Sequence, residues 1–223
     1  LSAFANDRID DERYLRNLPK EQKQIRNALK KAERQRLCKL IERPNATVDE
    51  ILDVFQEFRD QVVLFHFAGH AGSAELLFES LEGAPQIAHA GGIAAFLSQQ
   101  RSLELVFLNG CATEGQAQGL LDAGVAAVLV TSQAIDDAVA TAFADRFYQG
   151  LAGGVTLRRA FQSAEAAVRT ALAGHYQRTG DLEAARAVID VGGHRSDPRQ
   201  LQPAKLPTTR TTPGPQSRVM AAG

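Results

Sequence analysis

Two cysteines in 223 residues, Cys38 and Cys111, lie far apart in unlike surroundings. That excludes a disulfide framework and leaves no CxxC pair for a zinc site. Such sparing use fits a reducing, cytoplasmic compartment, where a thiol stays available to react. A charge surplus is missing as well: the net charge is −1 at pH 7. This balance argues against direct nucleic-acid binding or a membrane-surface role. No apolar run approaches the roughly 20 residues that a membrane-spanning helix needs. No glycine-rich phosphate loop follows the first apolar run, which sets a flavodoxin-like nucleotide binder aside. There is no internal repeat and no visible leader. The chain opens at Leu1 without a Met, as a piece of a longer protein would.

What is present is an alternation of strand-like and helix-like segments, on a chain long enough to bury roughly 70% of its unfolded surface. Leu1 to Ala5 reads as a short strand ending in the turn Asn6-Asp7. Pro19 opens an amphipathic helix running to about Arg36, and Leu37 to Ile41 reads as a second strand closed by Pro44. Thr47 with Glu50 makes a capping box for a helix whose inward stripe is Ile51, Leu52, Phe55 and Phe58. The run Val62 to Phe67 has the continuous apolar character of a strand covered on both faces. Leu76 to Phe78 reads as a hairpin arm, Ile93 to Gln99 as a helix, and Leu103 to Leu108 and Val125 to Val130 as two more buried strands. Two alanine-rich helices follow, Asp136 to Leu151 and Leu157 to Leu172, anchored by Phe143, Phe147 and Phe161, and a weaker helix is expected over Asp181 to Ile189. The expected fold class is α/β, a mostly parallel sheet with helices on both faces. The domain is placed at 1–190, and the Pro/Thr-rich stretch 191–223 is read as a linker or disordered tail.

In such sheets ligands bind beyond the carboxyl ends of the strands. His70 follows one buried strand within Ala68-Gly69-His70-Ala71-Gly72, and Cys111 follows another within Asn109-Gly110-Cys111-Ala112-Thr113. If the two strands are parallel neighbours, both side chains emerge at one rim. A thiol with an ordinary pKa near 8.5 needs a base beside it to react at neutral pH, and an imidazole supplies one. A tetrahedral oxyanion needs backbone N–H donors, which Gly110-Cys111 and Gly69-His70-Ala71-Gly72 could supply. Cys38, embedded in Leu37-Cys38-Lys39-Leu40, is read as packing; His66, inside its strand, as a hydrogen-bonded core histidine; and His89, His175 and His194 as surface residues.

The pair Phe65-His66-Phe67-Ala68-Gly69-His70-Ala71-Gly72 and Val106-Phe107-Leu108-Asn109-Gly110-Cys111-Ala112-Thr113 resembles the CHAT domains of bacteria, caspase-like cysteine peptidase relatives of clan CD. Asn6-Asp7 after the first strand and Val130 to Asp137 also look like that family, over about Leu1 to Leu172. The resemblance implies a caspase-like three-layer sandwich and a cysteine endopeptidase with His70 as base and Cys111 as nucleophile. It implies no metal or organic cofactor, a protein or peptide substrate, and sensor or repeat domains of a longer signalling or defence protein as partners. Family members typically carry glycine after the catalytic histidine, whose N–H helps form the oxyanion hole with those at Gly110 and Cys111; here Ala71 stands there. His70 precedes Cys111, the order of caspases and the reverse of class I glutamine amidotransferases. About fourteen residues separate Cys111 from the next strand, too few for a cleavable linker. By the same resemblance, Asp7, Asp136 and Asp137 stand where the pocket for the residue before the scissile bond is lined, and would favour Arg or Lys. The competing implication is a catalytically inactive interaction module of the same fold.

Overall fold

The computed structural model describes residues 1–131, 136–179 and 187–190, with side chains to residue 170. Six strands form one sheet: β1 (Ser2–Phe4), β2 (Glu42–Pro44), β3 (Leu64–Ala68), β6 (Leu105–Asn109), β7 (Ala127–Thr131) and β8 (Ala187–Asp190). Their spatial order is β2-β1-β3-β6-β7-β8, with β4 (Glu75–Glu79) and β5 (Pro85–His89) set apart as an antiparallel hairpin. All pairings in the large sheet are parallel except β7 with β8. Among the described residues six α-helices accompany it: α1 (Leu18–Arg34), α2 (Val48–Glu57), α3 (Ala90–Leu97), α4 (Ala117–Asp122), α5 (Asp137–Ala152) and α6 (Leu157–Thr179).

Side chains alternate across a strand, so each strand feeds two cores. Ala3, Phe65, Phe67, Val106, Leu108, Val128 and Val130 turn to one face, where Ile51 and Phe55 of α2, Leu97 of α3 and Leu120 of α4 cover them. Phe4, Ala68, Leu105, Phe107, Ala127 and Leu129 turn to the other, against Ile25 of α1, Phe143 and Phe147 of α5 and Phe161 of α6. The result is the expected three-layer α/β sandwich. Thr47 caps α2 as read from the sequence: its hydroxyl accepts from Glu50 N at 3.2 Å and Glu50 Oε2 accepts from Thr47 N at 3.0 Å.

Several expectations need correction. The second strand is Glu42–Pro44, not Leu37 to Ile41. Leu37 and Cys38 are exposed, so Cys38 is not a packing residue. On α2 the buried stripe is Ile51, Val54 and Phe55, while Leu52 faces solvent. Residues 187–189, expected in a helix, lie in β8 (Ala187–Asp190), antiparallel to β7, and 181–186 lie outside the described residues. His89 is exposed, as expected, at the end of β5 and the N-cap of α3. The expected tail, 191–223, also lies outside the described residues. Among the described helices none is long and apolar enough to cross a membrane.

Candidate functional site

β3 and β6 are parallel neighbours with Ala68 opposite Asn109. His70 and Cys111 each stand two residues beyond that matched pair, so both leave the sheet at the same rim. The rim is tightly built. A Cβ on Gly110 would lie 2.7 Å from Gly69 O and 2.8 Å from Ala71 Cβ, the two neighbours of His70. A Cβ on Gly69 would lie 2.5 Å from Ala5 O at the end of β1. Only glycine lets three strand ends approach this closely. His70 and Cys111 are both half-buried.

The His70 ring is held from the far side. Its Nε2 is hydrogen-bonded to the main-chain oxygen of Arg13, 57 residues away in sequence. A carbonyl oxygen only accepts, so Nε2 carries the proton, and in the neutral ring Nδ1 is the nitrogen able to take another. Arg13 sits on the loop between β1 and α1, and that loop is itself fastened. Asn6 Oδ1 accepts from Leu15 N at 2.8 Å while Asn6 Nδ2 donates to Leu15 O at 3.1 Å. Asp7 Oδ1 accepts from Ile9 N and Asp10 N at 3.3 and 3.1 Å, and Asp7 Oδ2 pairs with the Arg13 guanidinium at 3.4 Å. Glu79 of β4 accepts from Asn6 N at 3.0 Å. Burial pushes the Glu79 carboxyl above its ordinary pKa, against the opposing pull of the Asn6 N–H and Arg8.

The turn after β6 is set by two threonines. Thr113 Oγ1 donates to Leu108 O at 3.1 Å and accepts from Thr131 N at 2.9 Å, and the Thr131 hydroxyl donates to Gly110 O. Ala112 takes up the sharp reversal with φ at +52°, and residues 113–116 form a 3₁₀ turn. Gln116 then ties this turn to the His70 loop, donating to Gly72 O at 2.7 Å and Glu75 O at 3.0 Å. Ala71 keeps a negative φ, so its methyl adds no backbone strain. It bridges to Leu76 through its flanking residues, Gly72 N to Glu75 O and Leu77 N to His70 O, so that bridge does not consume the Ala71 N–H.

Directly beneath, on the α1 face, lies a buried polar cluster that the sequence did not announce. Glu21 of α1 is 1% exposed. Its Oε1 accepts from His66 Nε2 at 3.1 Å and from Asn109 Nδ2 at 2.8 Å. His66, fully buried among Phe4, Phe107 and Tyr148, is the hydrogen-bonded core histidine that its place in the strand suggested. Burial also drives the Tyr148 hydroxyl well above its ordinary pKa, ahead of the effect of Glu21.

The three carboxylates expected around a substrate side chain all have partners of their own. Asp7 anchors the loop turn and pairs with Arg13. Asp136 is the N-cap of α5, accepting from Ala138 N at 2.9 Å and Val139 N at 3.3 Å. Asp137 Oδ2 accepts from Asn17 N at 2.8 Å and Asn17 Nδ2 at 2.9 Å, tying α5 to the start of α1. Among the described residues no three His, Cys, Asp or Glu side chains gather as a bound cation would require.

Compared with known families, residues 2–199 match the sequence model of the CHAT domain. No curated protein sequence gives a significant match.

Proposed function

We propose, for a chain that belongs to the CHAT domain family, itself caspase-like, that it is a cysteine endopeptidase with His70 as base and Cys111 as nucleophile. One observation carries the reading: the two side chains leave adjacent parallel strands at matched positions, with the His70 ring tethered through Nε2. In this reading Nδ1 takes the thiol proton as sulfur attacks the scissile carbonyl carbon. The N–H groups of Ala71, Gly110 and Cys111 are the candidate donors to the resulting oxyanion. Collapse breaks the C–N bond, the imidazolium returns its proton to the leaving amine, and a thioester to Cys111 remains. Water, deprotonated by His70, then releases the acid and restores the thiol. No metal or organic cofactor enters these steps.

A preference for Arg or Lys before the scissile bond is the finer part of the proposal. It draws on the acids at 7, 136 and 137, and a basic substrate would have to compete with the internal partners those carboxylates hold. Peptides varied among Arg, Lys, Asp and Leu at that position test it; a preference for Asp removes it. By the family resemblance, the setting is a cytoplasmic bacterial signalling or defence protein whose sensor or repeat domains control access to the site.

The deciding experiment is labelling by an electrophilic peptide probe. Labelling of wild type that is lost in Cys111→Ala, and reduced about 10²- to 10⁴-fold in His70→Ala, is the expected result. Silence of the wild type under all activating conditions would instead support the catalytically inactive interaction module.

A further inference from the structure

The geometry points to Asn6 as a positioning residue for His70. The inference rests on His70 acting as the base, and it concerns what keeps that ring in its working tautomer. The only acceptor described for His70 Nε2 is a main-chain carbonyl on a loop, and a loop carbonyl holds a ring only as well as the loop is held. The loop between β1 and α1 contains no regular secondary structure from residue 5 to residue 17. Its two ends are drawn together chiefly by Asn6, which bonds Leu15 across the loop. Asn6 is 9% exposed and grips Leu15 in both directions, accepting from its N–H and donating to its C=O. Both Asn6 contacts fall two residues after Arg13, and the Asn6 main chain is in turn fixed to Glu79 of the hairpin.

The chemistry of an amide side chain matters here. Alanine offers neither group, and a carboxylate can accept from Leu15 N but cannot donate to Leu15 O. Asn6 therefore acts through Arg13. Asp7 supports the same loop from its outer side by pairing with the Arg13 side chain. Loss of the clamp frees the Arg13 carbonyl from the ring, so the proton is no longer confined to Nε2 and Nδ1 is no longer kept ready for the thiol.

The test uses the chain in a Cys38→Ser background, so that iodoacetamide reports on Cys111 alone. This reagent has no side chain for a specificity pocket to read, so it separates positioning from substrate recognition. Asn6→Ala is expected to slow alkylation about tenfold, a fraction of what complete loss of a base costs. In long-range ¹H–¹⁵N spectra, with the His70 signals assigned by their loss in His70→Gln, the ring is expected to pass from the Nε2–H form to a mixture. A folded Asn6→Ala chain with the wild-type rate and a single Nε2–H tautomer would overturn the inference. Should Asn6→Ala not fold, Asp7→Asn decides on the same two readouts. It keeps an oxygen for Ile9 N and Asp10 N and loses only the ion pair with Arg13; a slower rate with mixed tautomers supports the inference, and wild-type behaviour overturns it. His70→Ala keeps the two failures apart: if it leaves the alkylation rate unchanged, the proposed base itself falls.

Discussion

Replacing Glu21 by alanine should unseat the layer beneath the site. The carboxylate is 1% exposed and its Oε1 serves two buried donors, His66 Nε2 and Asn109 Nδ2. Alanine leaves both N–H groups inside the protein without that acceptor. Each such loss costs about 1–3 kcal/mol, offset in part because a buried carboxylate no longer has to be desolvated. A net loss of about 3 kcal/mol is expected, which at a urea slope of about 2 kcal/mol/M lowers the unfolding midpoint by about 1.5 M. Glutamine keeps one oxygen in the same place for both donors and should lose only about 1 kcal/mol. The assay is equilibrium urea unfolding of wild type, Glu21→Ala and Glu21→Gln, followed by far-ultraviolet circular dichroism. Equal midpoints for the two variants, or an alanine variant within about 0.5 kcal/mol of wild type, would refute the account, because the oxygen would then be doing nothing the interior needs.

Other expectations rest on the same contacts. Gly110→Ala must push against Gly69 O and Ala71 Cβ, already at 2.7 and 2.8 Å from the added methyl. It should cost about 1–3 kcal/mol of stability and, by shifting the rim, about 10²-fold in probe labelling; wild-type labelling would count against the packing described. Asp136→Ala should lose about 1 kcal/mol as a helix cap, while Asp136→Asn stays within a few tenths. If asparagine instead abolishes a preference for basic substrates, that acid faces the peptide. Glu79 gives a pH signature. Its folded-state pKa lies above its unfolded one, chiefly through burial. Its contribution to stability is therefore full below the ordinary carboxylate range and declines as pH rises through the raised value. The melting temperature of wild type minus that of Glu79→Gln should fall as pH rises above the ordinary carboxylate range, and a constant difference would contradict the shift.

The central strands and the two rim residues were readable because periodicity and strand ends are local signals. Leu64–Ala68 and Leu105–Asn109 are apolar nearly throughout since helices cover both their faces, and each gives way to a glycine-marked break. The edges were harder. β2 consists of Glu, Arg and Pro, tolerable only because it pairs on one side alone, with β1. Ala187 to Ile189 reads as the end of a helix, yet pairing against β7 decides its state, as tertiary context does for many strands. The supports of the site were not readable at all. Arg13 offers a backbone atom, which carries no residue signature, and Glu21 reaches His66 and Asn109 across 45 and 88 positions. Glu21 on the charged helix α1 looks like any solvated acid until α1 is laid on the sheet.

The link from Cys111 to β7 has a consequence for cleavage of the chain. Its residues are taken up by a 3₁₀ turn and α4, and Gln116 is fastened to the opposite loop. Proteases cut polypeptide that can be drawn out into an open ribbon, and this segment offers none without melting first. Limited digestion of the folded chain is therefore expected to leave residues 113–122 uncut.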